Sequence, residues 1–134
     1  MSAFLSPLIL KYIGENDEEL WELHEDLIYQ SDVAAYTFVI PKGFKTDLSS
    51  VPRAPLAYWL TGGKAKLPSI PHDFLCETKL VTREMADLVF LEAAKLVGVP
   101  GWRRKTMYSM VRGYAIVTGK DTPKTEAVTN IYKE

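Results

Sequence analysis

Apolar residues follow two different spacings along the chain. Up to residue 44 they come in short runs, "LILKYIG" (8–14), "LWELHEDLIYQS" (20–31) and "YTFVIPKGF" (36–44), broken by "ENDEE" and "SDVAA". Short runs rich in Ile, Leu, Val, Tyr and Phe between turn formers predict three strands, a small antiparallel β meander over residues 1–45. Trp21, Leu27 and Tyr29 also suit one face of a helix over 17–29, and periodicity leaves that alternative open. From residue 71 onward the spacing becomes helical. "PHDFLCETK" predicts a short helix with Ser69 as N-cap and Pro71 in its first turn. "TREMADLVFLEAAKLVG" predicts a longer one, capped by Thr82 and ended by Gly98 and Pro100. Its apolar positions run almost all the way round, so it belongs at the centre of the core. "WRRKTMYSMVRGYAIVTG" (102–119) predicts a third helix, with Met107, Val111, Tyr114 and Ala115 as core contacts.

Between the two regimes, residues 41–71 hold Pro41, Pro52, Pro55, Pro68 and Pro71 with Gly43, Gly62 and Gly63, which excludes long regular elements. A long loop within a compact domain is uncommon and tends to be functional. The fold class expected is therefore α+β in a single domain, 1–134. It divides into a β meander (1–45), a candidate metal loop (46–71), a helical core (72–119) and a polar tail (120–134).

Composition narrows the functional classes. With 134 residues, 47% hydrophobic and 25% charged, the chain suits one globular domain. A formal net charge of −1 provides no global attraction to polyanions, and no nucleic-acid partner is expected. Arg103, Arg104 and Lys105 form the only tight basic run, which reads as a solvated helix start. A lone Cys76 excludes an internal disulfide and a thiolate zinc cluster. No signal peptide or membrane span is expected, since the N-terminal segment lacks a basic start and no apolar run approaches about 20 residues.

Candidate chemistry gathers around three aspartates and a histidine. His72 and Asp87 stand about equally far from the turn near Lys79 and Leu80, so an antiparallel helical hairpin brings them to one height. Asp87 lies off the outer stripe of Glu84, Leu88, Glu92 and Lys95 and needs a partner, for which His72 or Arg83 would serve. Asp73 points about 100° away from His72 on the same helix. With Asp47 and a carbonyl such as that of Leu48 it would complete an oxygen site suited to Ca²⁺ or Mg²⁺ rather than zinc. In that arrangement His72 takes a proton from water, Asp87 fixes its tautomer and the metal polarises a carbonyl. The competing reading makes His72 a helix cross-link and Asp47 an Asx-turn residue. His24, close to Glu22, Glu25 and Asp26, reads as a surface histidine paired with carboxylates.

Two resemblances bear on these residues. "PKGFKTDLSSVPR", "IPHDF", "TREMADLVF" and "MYSMVRGYA" together resemble a family of short, functionally uncharacterised proteins of tailed phages and prophages. Thr46-Asp47-Leu48, His72-Asp73-Phe74 and Arg83-x-x-x-Asp87-x-x-Phe90 follow the same order as motifs of the bacterial secreted phospholipase A2 enzymes, over roughly residues 44–115. The second resemblance implies a phospholipase A2-like three-helix core. It also implies Ca²⁺ held by Asp47, Asp73 and the Leu48 carbonyl, with His72 as base and Asp87 as its orienting partner. Cys76 stands where those enzymes usually have tyrosine, their disulfides are absent, and the connection between the first two helices is shorter.

Three functions are carried forward. The first is a calcium-dependent, phospholipase A2-like ester hydrolase of phage or prophage type, with phospholipid or a membrane surface as partner. The second is a non-catalytic virion or tail-associated component that keeps the scaffold and contacts virion proteins. The third is a small-ligand protein that counters host defence. The expected location is the host cytoplasm or the virion.

Overall fold

A computed structural model of the chain describes residues 1–14, 20–46 and 66–119. Six strands come first: β1 (Ala3–Phe4), β2 (Leu10–Tyr12), β3 (Trp21–Leu23), β4 (Leu27–Ser31), β5 (Tyr36–Ile40) and β6 (Lys45–Thr46). Three helices follow: α1 (Lys66–Thr78), α2 (Arg83–Leu96) and α3 (Gly101–Val117). The architecture is α+β, with strands before helices, as the change of spacing predicts.

The strands divide between two antiparallel sheets, ordered β1-β4-β5 and β2-β3-β6, in place of one meander. The cause is a corner inside residues 20–31, which the sequence presents as a single run. His24, Glu25 and Asp26 are exposed there, and Asp26 Oδ1 accepts from the Lys42 backbone N–H at 2.7 Å. Leu23 N–H donates to Phe44 O, and Gly43 N–H to Leu23 O, both at 2.9 Å. A glycine is required at 43, where φ is 91°. Paired across the β4–β5 hairpin are Leu27 with Ile40 and Tyr29 with Phe38. All four are buried, while Thr37 and Val39, which alternate with Phe38 and Ile40 along β5, are exposed, the period-two signature of a sheet with one inward face.

Helix α1 begins at Lys66, five residues before the predicted start. Ser69 is therefore not an N-cap but a buried residue inside the helix, and Pro71 lies in the second turn rather than the first. There it removes the hydrogen bond that a residue in its place would make to the Leu67 carbonyl. Residues 66–71 of the predicted loop are thus helical. Thr82 caps α2 as expected, its side chain accepting from Met85 N–H at 3.0 Å, a contact worth about 1 kcal/mol. Gly98, at φ 89°, ends α2. Gly98 N–H bonds Lys95 O and Val99 N–H bonds Ala94 O, the paired closure of a Schellman cap.

Helix α2 packs between the rest of the molecule and α3. Ala86, Val89 and Ala93 join Leu23, Leu27, Tyr29, Phe38 and Ile40 of the sheets and Ile70 and Leu75 of α1 in the main core. Phe90, one turn beyond Ala86, packs with Met107 of α3. Met107, Val111 and Ala115 are buried as predicted, whereas Tyr114 is 52% exposed. Glu92 fastens the sheet to α2. It accepts from Tyr29 Oη at 2.6 Å, Ser31 Oγ at 2.8 Å and Val33 N–H at 2.9 Å. Burial, reinforced by the hydrogen bond to Glu92, holds the Tyr29 phenol far above its ordinary pKa.

Candidate active site

The α1–α2 hairpin turns over residues 79–82, beginning at Lys79, where φ is 56°. It brings His72 and Asp87 together, each fully buried. His72 Nε2 lies 2.6 Å from Asp87 Oδ1. The Phe90 ring meets the imidazole edge to face at 5.3 Å, so one face of α2 supplies both the carboxylate and an apolar wall.

Two arginines complete the carboxylate's shell. Arg83 Nε, one turn earlier on α2, donates to Oδ1 at 3.1 Å. Arg112 Nη1, from α3, donates to Oδ2 at 3.0 Å. Burial by itself raises the pKa of Asp87. The hydrogen bond and charge of His72, with the charge of Arg83 and the hydrogen bond from Arg112, outweigh that effect and hold it below the usual carboxylate range. Asp87 is therefore an ionised, acceptor-only group. It follows that Nε2 is the protonated nitrogen of His72, and that in the neutral ring Nδ1 carries the lone pair.

Among the described residues, Nδ1 has no nitrogen or oxygen partner. Its neighbour is Cys76 Sγ at 4.0 Å, an atom that is also 3.7 Å from Nε2. A thiol bonded to Nδ1 in the ring plane would be much farther from the second nitrogen. The near-equal distances place the sulfur over the face of the ring, which is not the alignment of a thiol giving its proton to a histidine.

Asp73 turns away from His72 toward the sheet, as its 100° offset predicts. Its Oδ2 accepts a short hydrogen bond from the hydroxyl of Thr46, the last residue of β6. Thr46 immediately precedes Asp47, so the chain enters the Thr-Asp-Leu motif against the Asp73 carboxylate. Asp47 and Leu48 themselves lie outside the described residues. Among the described residues no cluster of three or more His, Cys, Asp or Glu side chains is placed to hold a metal. The donors gathered on this side, a carboxylate and a hydroxyl, are hard oxygens, which suit Ca²⁺ and not zinc.

Arg112 is the site residue that sequence reasoning missed. A signal was present: it is the only charge on α3 beyond Lys105, and it sits directly beside the buried positions Val111 and Ala115. A lone charge at the margin of a core stripe needs a buried partner.

Similarity to other proteins says little about activity. The chain is 30% identical over 109 residues to a protein of Sinorhizobium fredii (strain NBRC 101917 / NGR234) described as "Uncharacterized protein y4jT". The match covers 78% of this chain and 31% of that relative, so the chain spans about a third of the relative's length. No solved structure matches the chain. Residues 21–111, which run from β3 to the buried Val111 of α3 and include His72, Asp73, Arg83 and Asp87, match the family described as "Protein of unknown function (DUF1353)", and the chain belongs to that family.

Proposed function

We propose that the chain is a calcium-dependent hydrolase of glycerophospholipid esters, with His72 as the base that activates water. The observation that carries this reading is the Nε2 contact to an ionised Asp87, which leaves the Nδ1 lone pair as the proton acceptor. In the first step Nδ1 takes a proton from water as the water oxygen attacks the ester carbonyl carbon, and Asp87 stabilises the imidazolium that forms. In the second step the imidazolium returns the proton to the departing alkoxide, and the products are a fatty acid and a lysophospholipid. Asp47, Asp73 and the Leu48 carbonyl would hold Ca²⁺, which supplies polarisation of the ester carbonyl when bound. Arg83 and Arg112 keep Asp87 charged throughout. The order of the phospholipase-type motifs supports the assignment, and the resemblance to phage and prophage proteins supports a role in host entry or lysis.

A second reading has its own observation. Only 1% of the His72 side chain is exposed, and Asp87 joins all three helices through His72, Arg83 and Arg112. A buried ionic cluster of this kind also suits a non-catalytic virion or tail-associated scaffold.

Phospholipid vesicles incubated with purified protein separate the two. The hydrolase releases fatty acid in millimolar calcium and not in chelator. Calcium also raises its melting temperature by mass action, an effect equivalent to about 2.7 kcal/mol at a hundredfold excess over Kd, and Asp47→Asn removes the increment. Absence of release in calcium, with the fold intact, overturns the hydrolase and leaves the scaffold.

A further inference from the structure

Charge is segregated along the chain in a way that the His72 site does not use. From Ala93 to Lys120 there is no Asp or Glu, whereas Lys95, Arg103, Arg104, Lys105, Arg112 and Lys120 fall within those residues. The chain as a whole carries a net charge of −1. Two of these cations are turned inward: Arg112 onto Asp87, and Arg104 onto the Val99 carbonyl at 3.0 Å.

Three others belong to the last turn of α2 and the first turns of α3, either side of the Gly98 turn. Lys95 and Lys105 are exposed, and Arg103 is half-buried with its guanidinium 5.1 Å from the centre of the Trp102 ring. Trp102 itself is 55% exposed, and Leu96, across the Gly98 turn, is 44% exposed. An indole and an isobutyl group thus fall among three cations, and the nearest acidic residue in sequence, Glu92, is engaged by Tyr29, Ser31 and Val33 on the side of the sheet.

We infer that this corner docks the protein on an anionic phospholipid bilayer, with Trp102 and Leu96 entering the interface and Lys95, Arg103 and Lys105 meeting lipid phosphates. Charge complementarity selects an anionic partner. The apolar pair selects a bilayer, because a membrane interface offers phosphate and acyl chain at adjoining depths, and tryptophan favours that boundary. A nucleic acid would call for cations tracking a backbone over several helical turns, whereas here they occupy one corner. The inference deepens the hydrolase reading by naming the surface on which its substrate is met, and it rests on that reading for its purpose but not for its test.

The test is co-sedimentation of the full chain with vesicles in chelator, where neither calcium nor hydrolysis contributes. Vesicles of equimolar phosphatidylglycerol and phosphatidylcholine retain the wild type, and phosphatidylcholine alone does not. Each cation removed weakens partitioning about fivefold at low salt, so Lys95→Glu combined with Lys105→Glu abolishes retention. Trp102→Ala weakens it about tenfold, as loss of an interface anchor. Lys95 and Lys105 are solvent-facing, so their variant melts as wild type does, and a melting curve accompanies Trp102→Ala. Lys11→Glu, on exposed β2, binds unchanged. The inference is overturned by failure to bind the anionic vesicles, by equal binding to phosphatidylcholine, by unaltered binding of the variants, or by preferential binding of polyuridylate. Binding by wild type and His72→Gln alike without any fatty-acid release retains the docking surface and removes the hydrolase. Release of fatty acid without vesicle binding does the reverse.

Discussion

His72→Gln lowers fatty-acid release by about 10²- to 10⁴-fold, the range expected when a general base is lost. Glutamine is the informative substitute because its amide nitrogen reaches toward the position of Nε2 and keeps a donor on Asp87. The buried carboxylate stays paired, and the change removes the lone pair at Nδ1 more than it disturbs the fold. Calcium should still raise the variant's melting temperature, since the proposed ligands are Asp47, Leu48 and Asp73. Initial rates on vesicles and the calcium shift in melting, taken together, separate a lost base from a damaged fold. Equal release by wild type and variant would assign the His72–Asp87 contact to structure alone.

Asp87→Ala destabilises the fold by about 3–5 kcal/mol, because it strips a shared acceptor from the buried His72 and from two largely covered arginines. The side chains of Arg83 and Arg112 are only 12% and 15% exposed, so water does little to replace the lost partner. The same carboxylate gives stability a defined pH dependence. Its folded-state pKa is depressed, so its contribution is complete above the unfolded value of about 3.9 and is lost as pH falls through the folded value. Denaturant titrations on the acid side of pH 4 should therefore show wild type losing more stability than Asp87→Asn, which has no proton to gain at that position. Parallel acid profiles for the two would show that the arginines do not act through the charge of Asp87.

The sequence revealed those parts of the fold that depend on periodicity. Helix α2 and its Thr82 cap, the buried stripe of α3 and the meeting of His72 with Asp87 all follow from the 3.6-residue repeat and the position of one turn. What escaped depended on tertiary contacts. Residues 20–31 read as one strand because the corner at His24–Asp26 is created by backbone bonds from Lys42 and Gly43, some twenty residues away. The start of α1 escaped because Pro68 and Pro71 argue locally against a helix, whereas Ile70, Leu75 and His72 are held by packing against α2 and the sheets. Arg112 escaped because its partner is 25 residues distant on another helix, and nothing in local spacing specifies which charge crosses a helix interface.

Asp87 and Glu92 lie five residues apart on α2, about 140° apart around its axis, and each accepts from three donors. Asp87 ties the helix to α1 and α3, and Glu92 ties it to β4 and the turn that follows. Rotating α2 by a single residue, or sliding it by one step, would break the bonds to Asp87 from His72 and Arg112 and those to Glu92 at once, leaving the buried Asp87 with Arg83 alone. The helix therefore has no low-energy screw motion. Its central backbone amides can exchange hydrogen with solvent only when the whole chain opens, while the turns at Asp32–Ala35 and Lys79 are able to fray separately. Movements that admit a substrate to His72 must then come from the elements around α2, with the helix itself as the fixed frame against which they shift.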